Sequence, residues 1–122
     1  MQDALQAFEL RTYADNQWQA TAHTTVARQA AALAKRLAQH GCTNRFVVSS
    51  VAEGYSLPLV YLAAWRINAA VAPIDCEDRD DELADVIKRL DAAVVVCEAK
   101  DAERLGRLAT APVLASLVVN EA

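Results

Sequence analysis

Short, largely apolar runs recur along this chain at intervals of about 23 residues, the length of a small strand-and-helix unit. The runs are Phe46–Val51, Ala70–Ile74, Ala93–Cys97 and Leu117–Val119. A strand that is apolar throughout is typical of a parallel sheet that is covered on both faces. The spacing therefore predicts four strands in one parallel sheet with helices on both sides.

Apolar residues at helical spacing separate these runs. A helix is predicted over Ser56–Ile67, another over Asp80–Leu90 and a shorter one over Ala99–Leu108, which contains Gly106. The Asp80–Leu90 helix has acidic residues in its first turn and basic residues in its last, the order that the helix dipole favours. The residues expected to face inward from the first two helices are Leu57, Val60, Tyr61, Ala64, Leu83, Val86, Ile87 and Leu90.

The segment before the first run has the pattern of a β-hairpin. Polar and apolar residues alternate over Phe8–Thr12 and again over Trp18–Ala22, with turn-forming residues at 14–16 between them. The predicted fold class is thus α/β: an N-terminal β-hairpin, then a mostly parallel sheet with helices on both faces. This is a three-layer, Rossmann-like subdomain.

A further helix is predicted between the hairpin and the first strand. Thr24 or Thr25 is a candidate N-cap, and Gly41 is the expected left-handed stop. The apolar stripe of this helix comprises Val26, Ala30, Leu33 and Leu37.

Length and composition narrow the classes of protein. The 122 residues fit a single domain, 1–122, with a modest core. A net charge of -4 without a run of Lys or Arg argues against a nucleic-acid partner. The chain has neither an apolar run long enough to cross a membrane nor a signal peptide at its N-terminus. Its three cysteines are odd in number and widely spaced, which argues against a disulfide framework and against a zinc site, so a reduced, cytoplasmic protein is predicted.

No residue of the sequence is assigned a catalytic, cofactor-binding or metal-binding role. Gly41, Gly54 and Gly106 are the only glycines and are isolated, so no phosphate-binding loop is present. His23 and His40 lie at the two ends of the predicted first helix, where a cap or surface role accounts for them. No catalytic triad can be assembled from their spacing.

Two other features have both a functional and a structural interpretation. Cys76 and Cys97 follow or end predicted strands, so they are either a reactive thiol pair or two small, partly buried residues. The second interpretation is favoured because no cationic group marks either thiol.

The acidic cluster Asp75–Glu82 lacks the spacing and central glycine of a calcium loop, and a solvated helix start explains it. An aspartate like Asp75 also occurs in phosphorylated receiver domains, but Ala52 and Glu53 do not supply the acidic pair that a receiver needs.

A family resemblance emerges when the segments are taken in order. Ala22–Val26 and the helix after it resemble an opening motif T-Y-x-E-L, and Arg45–Val48 resembles D-R-V-A. Tyr61–Asp75, which ends in Pro-Ile-Asp, resembles L-K-A-G-x-A-Y-x-P-I-D, and Glu82–Val96 resembles the helix and strand that follow. Leu117–Ala122 resembles a strand ending in V-V-x-D-E-A. Together they resemble the N-terminal portion of adenylate-forming (AMP-binding) enzymes, the family of acyl-CoA synthetases and nonribosomal peptide synthetase adenylation domains.

The resemblance implies a scaffold fragment of an ATP-dependent, carboxylate-activating enzyme, with no catalytic residue of the family on this chain. The implied parent uses ATP and Mg²⁺, whereas this chain is expected to need no cofactor and to be inactive alone. The alternative is a free-standing α/β interaction module without enzymatic activity. The expected partner is the remainder of the parent enzyme or a second copy of the chain, with Trp18, Tyr61 and Trp65 as candidate contacts. Asn68 replaces a family glycine, which predicts a left-handed backbone there.

Overall fold

The protein consists of a hairpin and a three-layer α/β unit. Its structure is a computed structural model, which describes residues 9–14, 16–52 and 54–115. Strands β1 (Glu9–Ala14) and β2 (Gln17–Ala22) form the hairpin. They are followed by α1 (His23–Gln39), β3 (Phe46–Ser49), α2 (Ser56–Arg66), β4 (Ala70–Pro73), α3 (Asp80–Arg89), β5 (Val94–Cys97), a 3₁₀ turn (Ala99–Asp101), α4 (Ala102–Leu108) and β6 (Val113–Ala115). The predicted fold class is confirmed.

The four later strands form one parallel sheet in the order β4-β3-β5-β6. Crossovers between parallel strands are right-handed, so a crossover that runs the opposite way along the sheet places its helix on the opposite face. The β3–β4 crossover runs one way and the next two run the other. Accordingly, α2 joins α1 on one face, while α3 and α4 cover the other face.

Alternating strand residues supply the two apolar cores. Val47, Val94 and Val96 pack with α1 and α2, whereas Val48 and Val95 pack with α3 and α4. All five residues are at most 2% exposed to solvent. In the central strands β3 and β5, the apolar sequence therefore reflects burial on both faces, as predicted. The edge strand β4 is exposed at both ends and half-buried between them.

The hairpin pairs in antiparallel register, with Tyr13 opposite Trp18. Leu10 packs against the α1–α2 core and Thr12 is buried, so the inward face of the hairpin comes from β1. Trp18, Ala20 and Ala22 alternate with polar residues as predicted, but they lie on the exposed face. Phe8 lies outside the described residues.

Helix α1 begins earlier than the sequence predicts. His23 is its first residue, Ala22 is its N-cap, and no side chain caps it, so the prediction of a Thr24 or Thr25 cap is wrong. The reason is that β2 remains paired with β1 as far as Ala22, and the chain enters the helix directly from the strand. The predicted stripe of Val26, Ala30, Leu33 and Leu37 is buried as expected.

The inward faces of α2 and α3 differ in part from the prediction. Helix α2 buries Leu59, Val60, Ala63 and Ala64, while Leu57 and Tyr61 are only half-buried. This helix is apolar on nearly every side, so spacing alone could not select the buried face. Helix α3 buries Leu83 and Ile87 as predicted, but Val86 is 37% exposed and Leu90 is half-buried.

The last predicted helix and strand are shifted. The chain makes a 3₁₀ turn before α4, which ends at Leu108, and β6 then pairs with β5 from Val113 to Ala115. The predicted fourth strand, Leu117–Val119, lies outside the described residues. The sheet is reached earlier than expected because only residues 109–112 separate the end of α4 from β6.

Helices α1, α2 and α3 end in the same way. Each is followed by a residue with positive φ: Gly41 at +75°, Asn68 at +57° and Asp91 at +48°. In each case two backbone N–H groups return to the last turn, the pattern of a Schellman motif. The left-handed conformations predicted for Gly41 and Asn68 are confirmed, and Asp91 adds a third that the sequence analysis did not identify.

Candidate functional site at the carboxyl edge of the sheet

A cleft of about 560 Å³ opens at the carboxyl ends of the parallel strands. It lies where the crossovers from β3 and β4 diverge, the position at which open α/β sheets bind ligands. Its lining comes from the segments that follow β3, β4 and β5 and from the start of α2: Ser50, Val51, Ala52, Leu57, Pro73, Ile74, Asp75, Cys76, Glu77, Glu98, Lys100 and Asp101.

The floor of the cleft is formed where β3 ends. The Ser49 hydroxyl accepts a hydrogen bond from Val51 N–H at 3.3 Å, which turns the chain away from the strand direction. Ser50 N–H still donates to Val96 O of β5 at 3.0 Å, so Ser50 stays attached to the sheet and is 6% exposed. Ser50 therefore lines the cleft together with Cys76.

The charge of the cleft is unfavourable for phosphate. Four carboxylates line it, on Asp75, Glu77, Glu98 and Asp101, against one ammonium, on Lys100. That ammonium already lies 3.6 Å from a carboxylate oxygen of Glu98. A polyphosphate entering the cleft would meet net negative charge at short range, where Coulomb repulsion is strongest.

The thiols at this edge are held in the protonated form. Burial raises the pKa of Cys97 to about 11, and the charges of Asp101 and Glu98 add to the shift. Burial also raises the pKa of Cys76; the Ser50 hydroxyl and Arg104 oppose that shift, and Asp101 reinforces it. A thiol with a raised pKa is a poor nucleophile at neutral pH, which favours the structural interpretation of both residues over a reactive pair.

The acidic segment after β4 is occupied by contacts within the protein. The side chain of Asp75 accepts a hydrogen bond from Glu77 N–H at 2.9 Å, which closes a turn. Arg79 lies 2.9 Å from Glu82, and Arg104 lies 2.8 Å from Asp80. Within residues 9–14, 16–52 and 54–115, no group of three or more potential ligands is arranged to hold a metal ion.

Several residues of this edge were not singled out by the sequence analysis, namely Ser50, Lys100, Asp101 and Arg104. Ser50 has a weak sequence signal, a polar residue at the end of an apolar run. Arg104 has none, because its partners at Cys76, Asp78 and Asp80 lie 24 to 28 residues away. The two histidines take no part: His23 begins α1 and His40 is its C-cap residue.

A second surface feature is apolar and lies on the α2 side of the molecule. A groove of about 380 Å³ without polar lining is bordered by Leu10, Val26, Pro58, Tyr61, Leu62 and Trp65. Trp65 is 64% exposed and packs edge-to-face against Tyr61, with ring centroids 5.8 Å apart. Trp18, on the hairpin, is 70% exposed and packs in the same way against Tyr13.

Comparison with known proteins identifies the family. Residues 2–121 match the family described as AMP-binding enzymes. The chain belongs to this family. No curated protein matches it.

Several solved structures share this fold. VinN has a TM-score of 0.83 at 19% identity over 98% of this chain and 32% of its own. ATP-bound MatB from Rhodopseudomonas palustris has a TM-score of 0.72 at 19% identity, over 80% of this chain and 20% of its own. Fatty acyl-adenylate ligase from L. pneumophila, in complex with acyl adenylate and pyrophosphate, has a TM-score of 0.74 at 16% identity, over 91% of this chain and 21% of its own.

The match extends over most of this chain but only part of its relatives. The chain spans about a fifth of the length of MatB and about a third of VinN. At these identities the likeness shows a shared fold, that of the hairpin and parallel sheet described above. Among the residues that the structure describes, no helix is both long enough and apolar enough to cross a bilayer.

Proposed function

We propose that this chain is a scaffold element of an ATP-dependent enzyme that activates a carboxylic acid. The observation that carries the proposal is the match of residues 2–121 to AMP-binding enzymes. In the proposed parent, a carboxylate oxygen attacks the α-phosphorus of ATP and displaces pyrophosphate, which gives an acyl adenylate. A thiol then attacks the acyl carbon, and AMP leaves. Mg²⁺ would neutralise charge on the phosphates during the first step.

This chain would contribute rigidity rather than reacting groups. Its three glycines are scattered, at Gly41, Gly54 and Gly106, so no glycine-rich loop is available to direct backbone N–H groups at a triphosphate. The cleft at the carboxyl edge is lined mainly by carboxylates. Both features support a chain that is inactive alone and binds ATP–Mg weakly.

The exposed aromatic residues support a packing role. We propose that the remainder of the parent enzyme covers the groove at Tyr61, Leu62 and Trp65, and that a second copy covers it in the isolated chain. Large apolar side chains that are exposed together are typical of interaction surfaces, and Trp is enriched among the residues that dominate interface energies. Nucleic acid and membrane are not proposed as partners, and the proposed location is cytoplasmic.

A pyrophosphate-exchange assay tests the catalytic part of the proposal. The chain is incubated with ATP–Mg, labelled pyrophosphate and a panel of carboxylic acids, with a complete AMP-binding enzyme as the positive control. We expect exchange at background level, and titration calorimetry with ATP–Mg should give no saturable heat at micromolar concentrations. Exchange above background with any acid would overturn the assignment as a scaffold without catalytic activity.

The alternative is a free-standing interaction module, which the exposed Trp18 and Trp65 would equally suit. Sequencing the gene downstream of the codon for Ala122 separates the two. An in-frame glycine-rich phosphate loop supports the scaffold of an adenylate-forming enzyme. A stop codon supports the module and overturns the parent-enzyme proposal.

A further inference from the structure

The segment between β4 and α3, residues 74–79, forms one rim of the carboxyl-edge cleft and is attached to α4 by a single arginine. The guanidinium of Arg104 donates to the carbonyl oxygens of Cys76 and Asp78, the latter at 2.7 Å. It also donates through Nε to a carboxylate oxygen of Asp80 at 2.8 Å. One side chain therefore ties two backbone positions of the rim and the first residue of α3 to another helix.

The rim has few apolar contacts of its own. Asp75 and the residues from Glu77 to Arg79 are exposed, and only Ile74 and Cys76 are partly buried against the α3–α4 core. Its first residue is attached to the sheet, since Ile74 N–H donates to Ser49 O at 2.8 Å. The hydrogen bonds from the N–H groups of Glu77 and Asp78 to Asp75 shape the turn but do not attach the residues after Ile74 to the sheet. Segments with few buried contacts open at low free energy unless polar contacts restrain them.

An electrostatic interaction crosses the same boundary. The carboxylate of Asp101, three residues before Arg104, faces the same cleft as the thiol of Cys76, and its charge raises the pKa of that thiol. Both residues line the cleft. Movement of the rim away from α4 would separate Cys76 from Asp101, enlarge the cleft and expose the thiol.

We propose that Arg104 is a latch that holds residues 74–79 against α4 and thereby sets the width of the carboxyl-edge cleft. Releasing the latch frees the rim while the sheet and both cores stay folded. The latch needs an arginine because its three acceptors diverge, and a planar guanidinium can reach all of them at once. An ammonium group has three donors around one point and cannot span the same positions.

The partly buried Cys76 is a built-in reporter of the latch. The Arg104→Ala variant is treated with iodoacetamide, and alkylation of each cysteine is followed by peptide mass spectrometry. Loss of the Arg104 charge raises the pKa of the Cys76 thiol, but the loss of hydrogen bonds to a charged group opens the rim. We expect the gain in access to outweigh the change in pKa, so that Cys76 reacts at least about tenfold faster than in the parent protein. Cys42 and Cys97, both buried in the cores, should keep their rates within about a factor of two.

The matched control is Arg107→Ala. Arg107 lies on the same helix, is 64% exposed and contacts the Glu103 carboxylate at 3.3 Å, so its removal should leave all three rates unchanged. Equal acceleration of all three cysteines in Arg104→Ala would overturn the latch, because it would indicate a general loss of stability. An unchanged Cys76 rate would overturn it as well.

Arg104→Lys tests geometry separately from charge and does not depend on how well the alanine variant folds. We expect the lysine variant to show accelerated alkylation of Cys76, since a positive charge without the planar guanidinium does not restore all three contacts. Parental rates in Arg104→Lys would refute the latch. None of these measurements uses ATP or an acid substrate, so the latch can fail or hold independently of the proposed function.

Discussion

Replacing Asn68 by alanine should destabilise the protein, whereas replacing it by glycine should not. Asn68 follows the C-cap of α2 with a φ of +57°. Its N–H donates to Trp65 O at 3.3 Å, and the next N–H, of Ala69, donates to Ala64 O at 2.9 Å. Both bonds require the left-handed backbone, and they direct the chain from α2 into β4.

The expected magnitude follows from two terms. A residue with a Cβ pays about 1–2 kcal/mol in the left-handed region, and Asn is partly exempt because its short polar side chain bonds locally. Here the Asn68 amide donates to Asn44 Oδ1 at 2.5 Å, a contact worth about 1 kcal/mol. Asn68→Ala loses both advantages, for a cost of about 2 kcal/mol. Asn68→Gly loses the side-chain bond but relieves the backbone, so its cost should stay below about 1 kcal/mol.

Urea denaturation followed by circular dichroism measures this difference. The midpoints of the parent, Asn68→Ala and Asn68→Gly proteins are compared at equal slope, so that a shift reports stability. The order expected is parent and glycine variant close together, with the alanine variant clearly lower. Equal midpoints for the alanine and glycine variants would refute the argument. They would show that a Cβ at position 68 causes no strain in the left-handed backbone.

Three further outcomes are expected. The Cys97 thiol has a folded-state pKa of about 11 against an ordinary value of 9.0, so the free energy of unfolding should be unaffected by this thiol below pH 9 and should fall by about 2 kcal/mol as the pH rises towards 11. The urea midpoint should therefore fall less steeply over this pH range in Cys97→Ala than in the parent, and identical pH dependence would contradict the assignment. Trp65→Ser should weaken self-association more than tenfold in concentration-dependent light scattering, whereas Val86→Ser, on the opposite face of the sheet, should not. A parent protein that stays monomeric at high concentration would refute the proposal that a second copy covers the groove at Trp65. Leu59→Ala, at a fully buried position, should lower the free energy of unfolding by about 2–5 kcal/mol, and the exposed Leu62→Ala by far less; similar losses would show that the buried face of α2 is misassigned.

The sequence by itself determined the hairpin, the first three strands of the sheet, the helices and their order, but not strand β6 at Val113–Ala115. Runs such as Ala93–Cys97 are apolar throughout because both faces of a central strand are covered, and that requirement is visible without coordinates. Stops such as Gly41 and Asn68 were also predictable, since the left-handed region admits few residue types. The family could be recognised for the same reason, because its motifs are these strand and turn segments taken in order.

Only the tertiary structure decided what lies beside what. Helix α2 is apolar on nearly every side, so the burial of Leu59 rather than Tyr61 depends on how α1 and the sheet approach it. The cleft at the carboxyl edge combines residues that follow three different strands, and its negative charge appears only when they are brought together. Arg104 reaches partners 24 to 28 residues away. Local periodicity reflects contacts within one element, whereas these contacts depend on the packing of separate elements, which no short stretch of sequence encodes.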